Sequence, residues 1–247
     1  MPRQARAVSE SGIYHVMLRG VNRQPIFVDG EDNERFLEIL RAYKQVCGYE
    51  LYAYCLMGNH VHLLMKVGGE DLSKVFKRIG CSYSYWFNRK YERTGHVFQD
   101  RYRSKPVTDD GYLLAATRYI HQNPLKAGLC DELADYPYSS YRDYIGSGGS
   151  HLTDTGFVLS VMNIDELVVF HQTSVQGDPD GLELFRRLGE TEAREIIEQT
   201  LGGAPATLST LPAMARDSHI ADLRLKGLSI RQISRLTGVS FAIARKR

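Results

Sequence analysis

Residues 50–57 and 60–67 are two apolar runs, ELYAYCLM and HVHLLMKV, with only Gly58-Asn59 between them. Gly and Asn suit the backbone of a tight turn, so the two runs are expected to pair as a β-hairpin. Upstream, GIYHVMLRG (12–20) has the β-branched and aromatic content of a strand, and 32–46 carries apolar residues at helical spacing. Downstream, 71–91 reads as a long helix with Asp71 or Ser73 as N-cap, and 101–107 as a short strand. Thr108-Asp109-Asp110 then opens a helix that Pro124 is expected to stop. The order β-α-β-β-α-β plus one helix is that of a ferredoxin-like antiparallel sheet, an α+β fold.

The hairpin's second strand also carries chemistry. His60 and His62 lie two apart, so both imidazoles face one side of the strand and can meet one divalent ion. A structural pair of histidines fits the same spacing. Near the end of the helix beginning at Asp110, Tyr119 and Asn123 are four residues apart, hence on one face and about 6 Å apart along the axis. They could offer a nucleophile and an amide oxygen to a single ion, or be a core aromatic and a C-terminal cap before proline.

At 247 residues and 43% apolar content, the chain can bury one full core plus an appendage, and 24% charged residues argue against disorder. No run approaches the roughly 18–20 apolar residues of a membrane span, and MPRQARAVSESG lacks the apolar segment of a signal peptide. A cytoplasmic protein with no membrane partner is expected. Cys47, Cys55, Cys81 and Cys130 are scattered without a CxxC pair, so they are read as apolar residues rather than as a metal or disulfide framework.

The net charge of +2 hides an asymmetry: between Lys74 and Lys105 stand nine lysines and arginines against two acids. Tyr83, Tyr85, Trp86, Phe87, Tyr91, Phe98 and Tyr102 interleave with them. Cations mixed with stacking faces suit single-stranded nucleic acid; a solvated helix whose aromatics point inward fits equally.

Three segments are expected. Residues 1–146 form the core, and 147–207 a linker and helical connector that starts at the Gly/Ser-rich GSGGS (146–150). Residues 208–247 contain GLSIRQISRLTGVS (227–240), where Ser229 would cap a helix holding Ile230, Ile233 and Leu236, and Gly238 would turn into a last helix. This reads as a helix-turn-helix whose Arg245, Lys246 and Arg247 face duplex DNA phosphates, the alternative being a helical hairpin packed on the core.

Five segments together resemble the REP-associated tyrosine transposases, relatives of the insertion-sequence transposases with one catalytic tyrosine and an HUH motif. They are YHVMLRGVNRQPIF (14–27), GNHVHLL (58–64), GHVFQDRYRSKPV (95–107), YLLAATRYIHQNPLKAGL (112–129) and DYPYSSYRDYIG (135–146). The resemblance spans about residues 10–146, with the motifs in the family's order and spacing. It implies an enzyme that cleaves and rejoins single-stranded DNA at hairpin-forming repeats through a covalent 5′-phosphotyrosine. Tyr119 matches the nucleophile, His60 and His62 the HUH histidines, and Asn123 a third metal ligand. Mg2+ or Mn2+ is the expected ion. Arg101, Arg103 and Lys105 are the expected backbone contacts nearest the site. His121, two residues after the tyrosine, is left between a DNA contact and packing. A monomer or homodimer is expected. The rival readings are a nickase with the same chemistry, a non-catalytic DNA-binding regulator acting through its tail, and a small-molecule phosphohydrolase using the histidine strand.

Overall fold

A computed structural model describes residues 7–148, 152–172 and 189–245. Four strands, β1 (Ile13–Arg19), β2 (Glu50–Met57), β3 (His60–Lys66) and β4 (Arg103–Pro106), form one antiparallel sheet in the order β2-β3-β1-β4. With α1 (Gly30–Cys47) between β1 and β2, and α2 (Leu72–Lys90) between β3 and β4, this is the ferredoxin-like order. The Gly58-Asn59 turn sets the β2-β3 register, Met57 opposite His60 and Cys55 opposite His62.

Alternation divides the sheet into two chemically different faces. Val16, Leu18, Val61, Leu63, Tyr54 and Leu56 share a core cluster with Phe36 and Leu40 of α1 and Val75, Phe76, Ile79 and Tyr83 of α2. On the other face β1 presents His15 and Met17, and β3 His60 and His62, with Met17 directly opposite His62. Polar residues in an otherwise apolar sheet are therefore gathered on one side.

Charge ties the first helix to the second. Asp29 caps α1 through a reciprocal capping box with Asp32, and Gly48 ends it at φ 67, the left-handed conformation that glycine adopts without strain. Asp32 is wholly buried, and accepts from the Val28 amide (2.6 Å), Lys90 Nζ (2.9 Å) and the Tyr91 hydroxyl (2.9 Å). Lys90, at the end of α2, also meets Asp29 and Glu31. Removing the central carboxylate takes an acceptor from the Val28 amide and the Tyr91 hydroxyl, while Lys90 keeps Asp29 and Glu31. Asp32→Ala is thus expected to lower the unfolding free energy by about 1–3 kcal/mol, seen as a lower urea midpoint at unchanged slope. An unaltered midpoint would show that the cluster does not hold the two helices.

Helix α3 (Asp110–Lys126) continues through Pro124 where the sequence predicts a stop. Proline has no N–H, so the Ile120 carbonyl loses its ordinary helical donor at that turn. The turn persists because the Ala127 amide reaches Asn123 O (3.0 Å) and the Leu129 amide reaches Pro124 O (2.9 Å). β4 is shorter than the expected 101–107, and Pro106 sits at the end of this edge strand, where a missing donor is tolerated.

Further helices follow: α4 (Tyr141–Tyr144), α5 (Thr155–Val161), α6 (Ile164–Gln172), α7 (Glu190–Leu201), α8 (Thr207–Thr210), α9 (Ala213–Leu225) and α10 (Ile230–Thr237). A last helix, α11, covers Phe241–Arg245. The chain forms two compact units, one of residues up to Thr108 with Ala116–Ser160, the other of Asp109–Ala115 with Val161–Arg247. These differ from the three consecutive segments expected from the sequence. The first turn of α3 belongs to the second unit, where a Cβ on Gly111 would lie 3.0 Å from Gly227 O and 3.1 Å from Ser229 N.

Within that second unit Ile197, Leu208, Ile220, Leu223, Leu228, Ile230, Ile233, Val239 and Ala244 make a core of their own. Ser229 caps α10 by a capping box with Gln232, and Gly238 turns out of it at φ 76, as the sequence predicts. The second helix of the motif has only five residues. Lys246 and Arg247 lie outside the described residues, and of Arg245 only the backbone is described. Among the described residues no helix is long and apolar enough to cross a membrane.

Candidate active site

Three elements converge on the polar face of the sheet. β3 sets His60 and His62 with ring centres 5.0 Å apart and planes at 89°. The neighbouring β1 brings His15 to His62, Nε2 to Nδ1 at 3.2 Å. Helix α3 lays the Tyr119 ring edge-on to His62 at 5.5 Å and tilted to His15 at 6.0 Å. His60 Nδ1 lies 2.6 Å from Asn59 Oδ1 of the hairpin turn, so the turn residue that shapes the strand also orients the first histidine.

The electrostatics follow from burial. His15 is pushed down to about 3 by its burial and then by the nearby Lys105 charge. Burial, then the neighbouring His15, His60 and Arg19, hold His62 well below the usual imidazole range. Both rings are therefore neutral at physiological pH, the form in which an imidazole nitrogen offers a lone pair. His62 Nε2 is buried and has no hydrogen-bond partner among the described residues, so its lone pair is available to an electrophile. Lys126 Nζ lies 5.0 Å from the centre of the Tyr119 ring. Burial, then Arg118, lowers the pKa of that ammonium.

The residues present suit a divalent ion. Among the described residues no three His, Cys, Asp or Glu side chains form a group able to hold one, so the histidine pair needs an oxygen donor of another kind. Asn123, buried one turn beyond Tyr119, is such a residue; its amide nitrogen donates to Tyr119 O at 2.9 Å. Two imidazole nitrogens and an amide oxygen suit Mn2+ and, less strongly, Mg2+.

Other expected residues fall on both sides of the outcome. In the register of β1 with β4, Arg103 lies opposite Met17 and Lys105 opposite His15, which puts both cations on the histidine face. Arg101 is exposed just before that strand. His121 is wholly buried, its Nε2 2.8 Å from Ser140 Oγ and its ring edge-on to Tyr141 and Tyr144, so it packs. The stacking role expected of the aromatics between 83 and 102 is corrected. Tyr83, Phe87 and Tyr102 are in the core and Trp86, Tyr91 and Phe98 pack against it, because they occupy the inner side of α2 and its following loop. Tyr85 is the exception, 71% exposed. Of the cysteines, Cys47 and Cys55 are buried as expected, but Cys81 is exposed.

His15 is the site residue that the sequence reading missed. Its signal was present: it sits two before Met17 in a strand whose alternate positions are apolar, but nothing local shows which strand will lie beside His62.

The site thus joins a histidine pair on an inner strand of a ferredoxin-like sheet to a tyrosine on the facing helix. Residues 8–123 match the family model described as "Transposase IS200 like". A Haemophilus influenzae protein bearing the name of a REP-associated tyrosine transposase is 29% identical over 156 residues, 57% of this chain and 86% of the relative. A solved REP-associated tyrosine transposase, bound to a REP hairpin, superposes with a TM-score of 0.50 at 18% identity, over 61% of this chain and 90% of that one. The likeness to it lies in the fold.

Proposed function

We propose that the protein is a metal-dependent single-stranded DNA endonuclease and strand transferase that works through a phosphotyrosine on Tyr119. The observation that carries this reading is the Tyr119 ring set against His62, whose buried Nε2 lacks a hydrogen-bond partner among the described residues. His60, His62 and Asn123 would hold Mg2+ or Mn2+. When bound, such an ion polarises a non-bridging phosphate oxygen.

The remaining chemistry belongs to the chain. Tyr119 Oη attacks phosphorus, the bond from phosphorus to the 3′ oxygen breaks, and the DNA 5′ phosphate stays esterified to the tyrosine. The phenolic proton, held with a pKa of about 10 in an unperturbed tyrosine, passes to water, while the departing 3′ oxygen takes up a proton. Lys126 over the ring favours the phenolate as that proton leaves. Arg103 and Lys105, on the same face, would anchor flanking phosphates. The ester conserves bond energy for rejoining, so no nucleotide cofactor is required. Tyr119 is 2% exposed, so binding of the strand must uncover its hydroxyl.

A DNA hairpin is the substrate of choice, as the solved relative holds one. The capped α10 and its turn into α11 support a second contact, with duplex beside the hairpin. The test is incubation with end-labelled hairpin DNA and Mn2+, followed by denaturing electrophoresis. A label that migrates with the protein only when the ion is present is expected. Cleavage that leaves no label on the protein would replace strand transfer with simple hydrolysis.

A further inference from the structure

We propose that the groove between α2 and residues 95–102 is a binding site for unpaired nucleotides of single-stranded DNA, lying beside the tyrosine site and separate from it. The proposal rests on the DNA part of the reading above and needs neither the ion nor the nucleophile.

The groove has a volume of about 750 Å³ and is bordered by Phe76, Lys77 and Gly80 of α2 and by Phe98, Arg101 and Tyr102 of the segment that follows. That is the size of a site that encloses a ligand of many atoms, about 300–1,000 Å³. Its outer wall is pinned to the sheet: the Val21 amide donates to Val97 O and the Gln99 amide to Arg19 O, both at 2.9 Å. The buried rings of Phe76 and Tyr102, with centres 4.6 Å apart, make the floor.

Gly80 is the residue that opens the groove. A glycine within a helix costs stability relative to alanine, and here neither backbone nor packing asks for one. Its φ is not in the left-handed region, and the nearest atoms that a Cβ would meet are Cδ2 and Cε2 of Phe98 at 4.0 Å, an ordinary contact. What the missing side chain does is leave the half-buried Phe98 ring facing the groove. Lys77 and Arg101 stand exposed at the border. Asp100 is the one acid among the lining residues, and its carboxylate accepts the Arg101 amide at 2.7 Å. An aromatic face flanked by cations selects a flat ring joined to an anion, which is the chemistry of a nucleotide. In a duplex the base faces are covered by their neighbours, so only an unpaired base can lie on Phe98. The groove is also connected to the tyrosine site. Arg103, which stands opposite Met17 on the histidine face, follows Arg101 by two residues, so their Cα atoms are at most about 7 Å apart. A strand leaving the tyrosine site therefore meets successive cations on its way to the groove.

Fluorescence anisotropy of the full chain with labelled oligothymidine, and with a blunt duplex of equal length, tests the proposal. Gly80→Leu fills the groove and should weaken oligothymidine binding about 10-fold, the worth of one stacked base, while duplex binding holds. Gly80→Ala, which adds a single methyl, should bind nearly as the wild type does. Lys77→Gln should flatten the salt slope of log K for the single strand by about 0.7, the share of one phosphate contact. Wild-type oligothymidine affinity in Gly80→Leu, or an unchanged slope in Lys77→Gln, would overturn the proposal. Should Gly80→Leu fail to fold, as judged by near-ultraviolet circular dichroism, the slope of Lys77→Gln decides, because that side chain is exposed. A wild type that binds oligothymidine through the groove but forms no covalent adduct would sink the Tyr119 reading and leave the groove standing. Adduct formation together with unaltered binding by Gly80→Leu would do the reverse.

Discussion

Tyr119→Phe is expected to abolish the covalent protein–DNA adduct while leaving the protein folded. The substitution removes one oxygen and keeps the ring that packs against His62 and His15 at 5.5 and 6.0 Å. Its stability cost should be at most about 1 kcal/mol, the net worth of a hydrogen bond. With the hydroxyl as the proposed attacking atom, its loss is not partial: labelled DNA should stay free of protein at every Mn2+ concentration. Noncovalent affinity for the hairpin, read by filter binding, should change little. An adduct at the wild-type level would transfer the nucleophile to another residue.

His62→Ala should be as severe for a different reason. The imidazole is completely buried, so its removal would take a ligand from the proposed ion and leave a cavity between β1, β3 and α3. Cleavage should disappear and Mn2+ should no longer raise the melting temperature, since a ligand stabilises only the state that binds it. His60→Ala should likewise lose both effects. The cavity alone should lower stability by about 2–3 kcal/mol, less than would unfold a typical domain. Calorimetry that finds the same Mn2+ affinity in both variants as in the wild type would remove the metal site from the account.

What the sequence made legible was what neighbours in the chain decide. Gly58-Asn59 specifies its hairpin, and through the register of that hairpin it places His60 and His62 on one face. Ser229 and Gly238 bracket α10 for the same local reason. Pro124 misled because its missing N–H is only one local penalty, and bonds from Ala127 and Leu129 hold the following turn. The aromatic residues of α2 misled in another way. Spacing alone did not reveal that the side of the helix holding Tyr83 and Phe87 would be the side facing the sheet. His15 was illegible as a site residue because its importance lies in a cross-strand neighbour 47 positions away.

The turn of α3 that precedes Tyr119 bears on how the proposed nucleophile is held. Ala115 is the last residue of the helix that clusters with the C-terminal unit, and Ala116 the first that clusters with the sheet. In an α-helix each amide donates to the carbonyl four residues back, so the backbone of Tyr119 hangs from that of Ala115. Amide-exchange protection at Tyr119 should then follow the winding of the turn before it: fraying there removes the acceptor that the tyrosine's own N–H uses. A fragment ending at Gly146 would contain every motif residue and still lack the Gly227–Ser229 turn beside Gly111. The shortest sequence that carries the chemistry is, on this view, shorter than the sequence that keeps its helix wound.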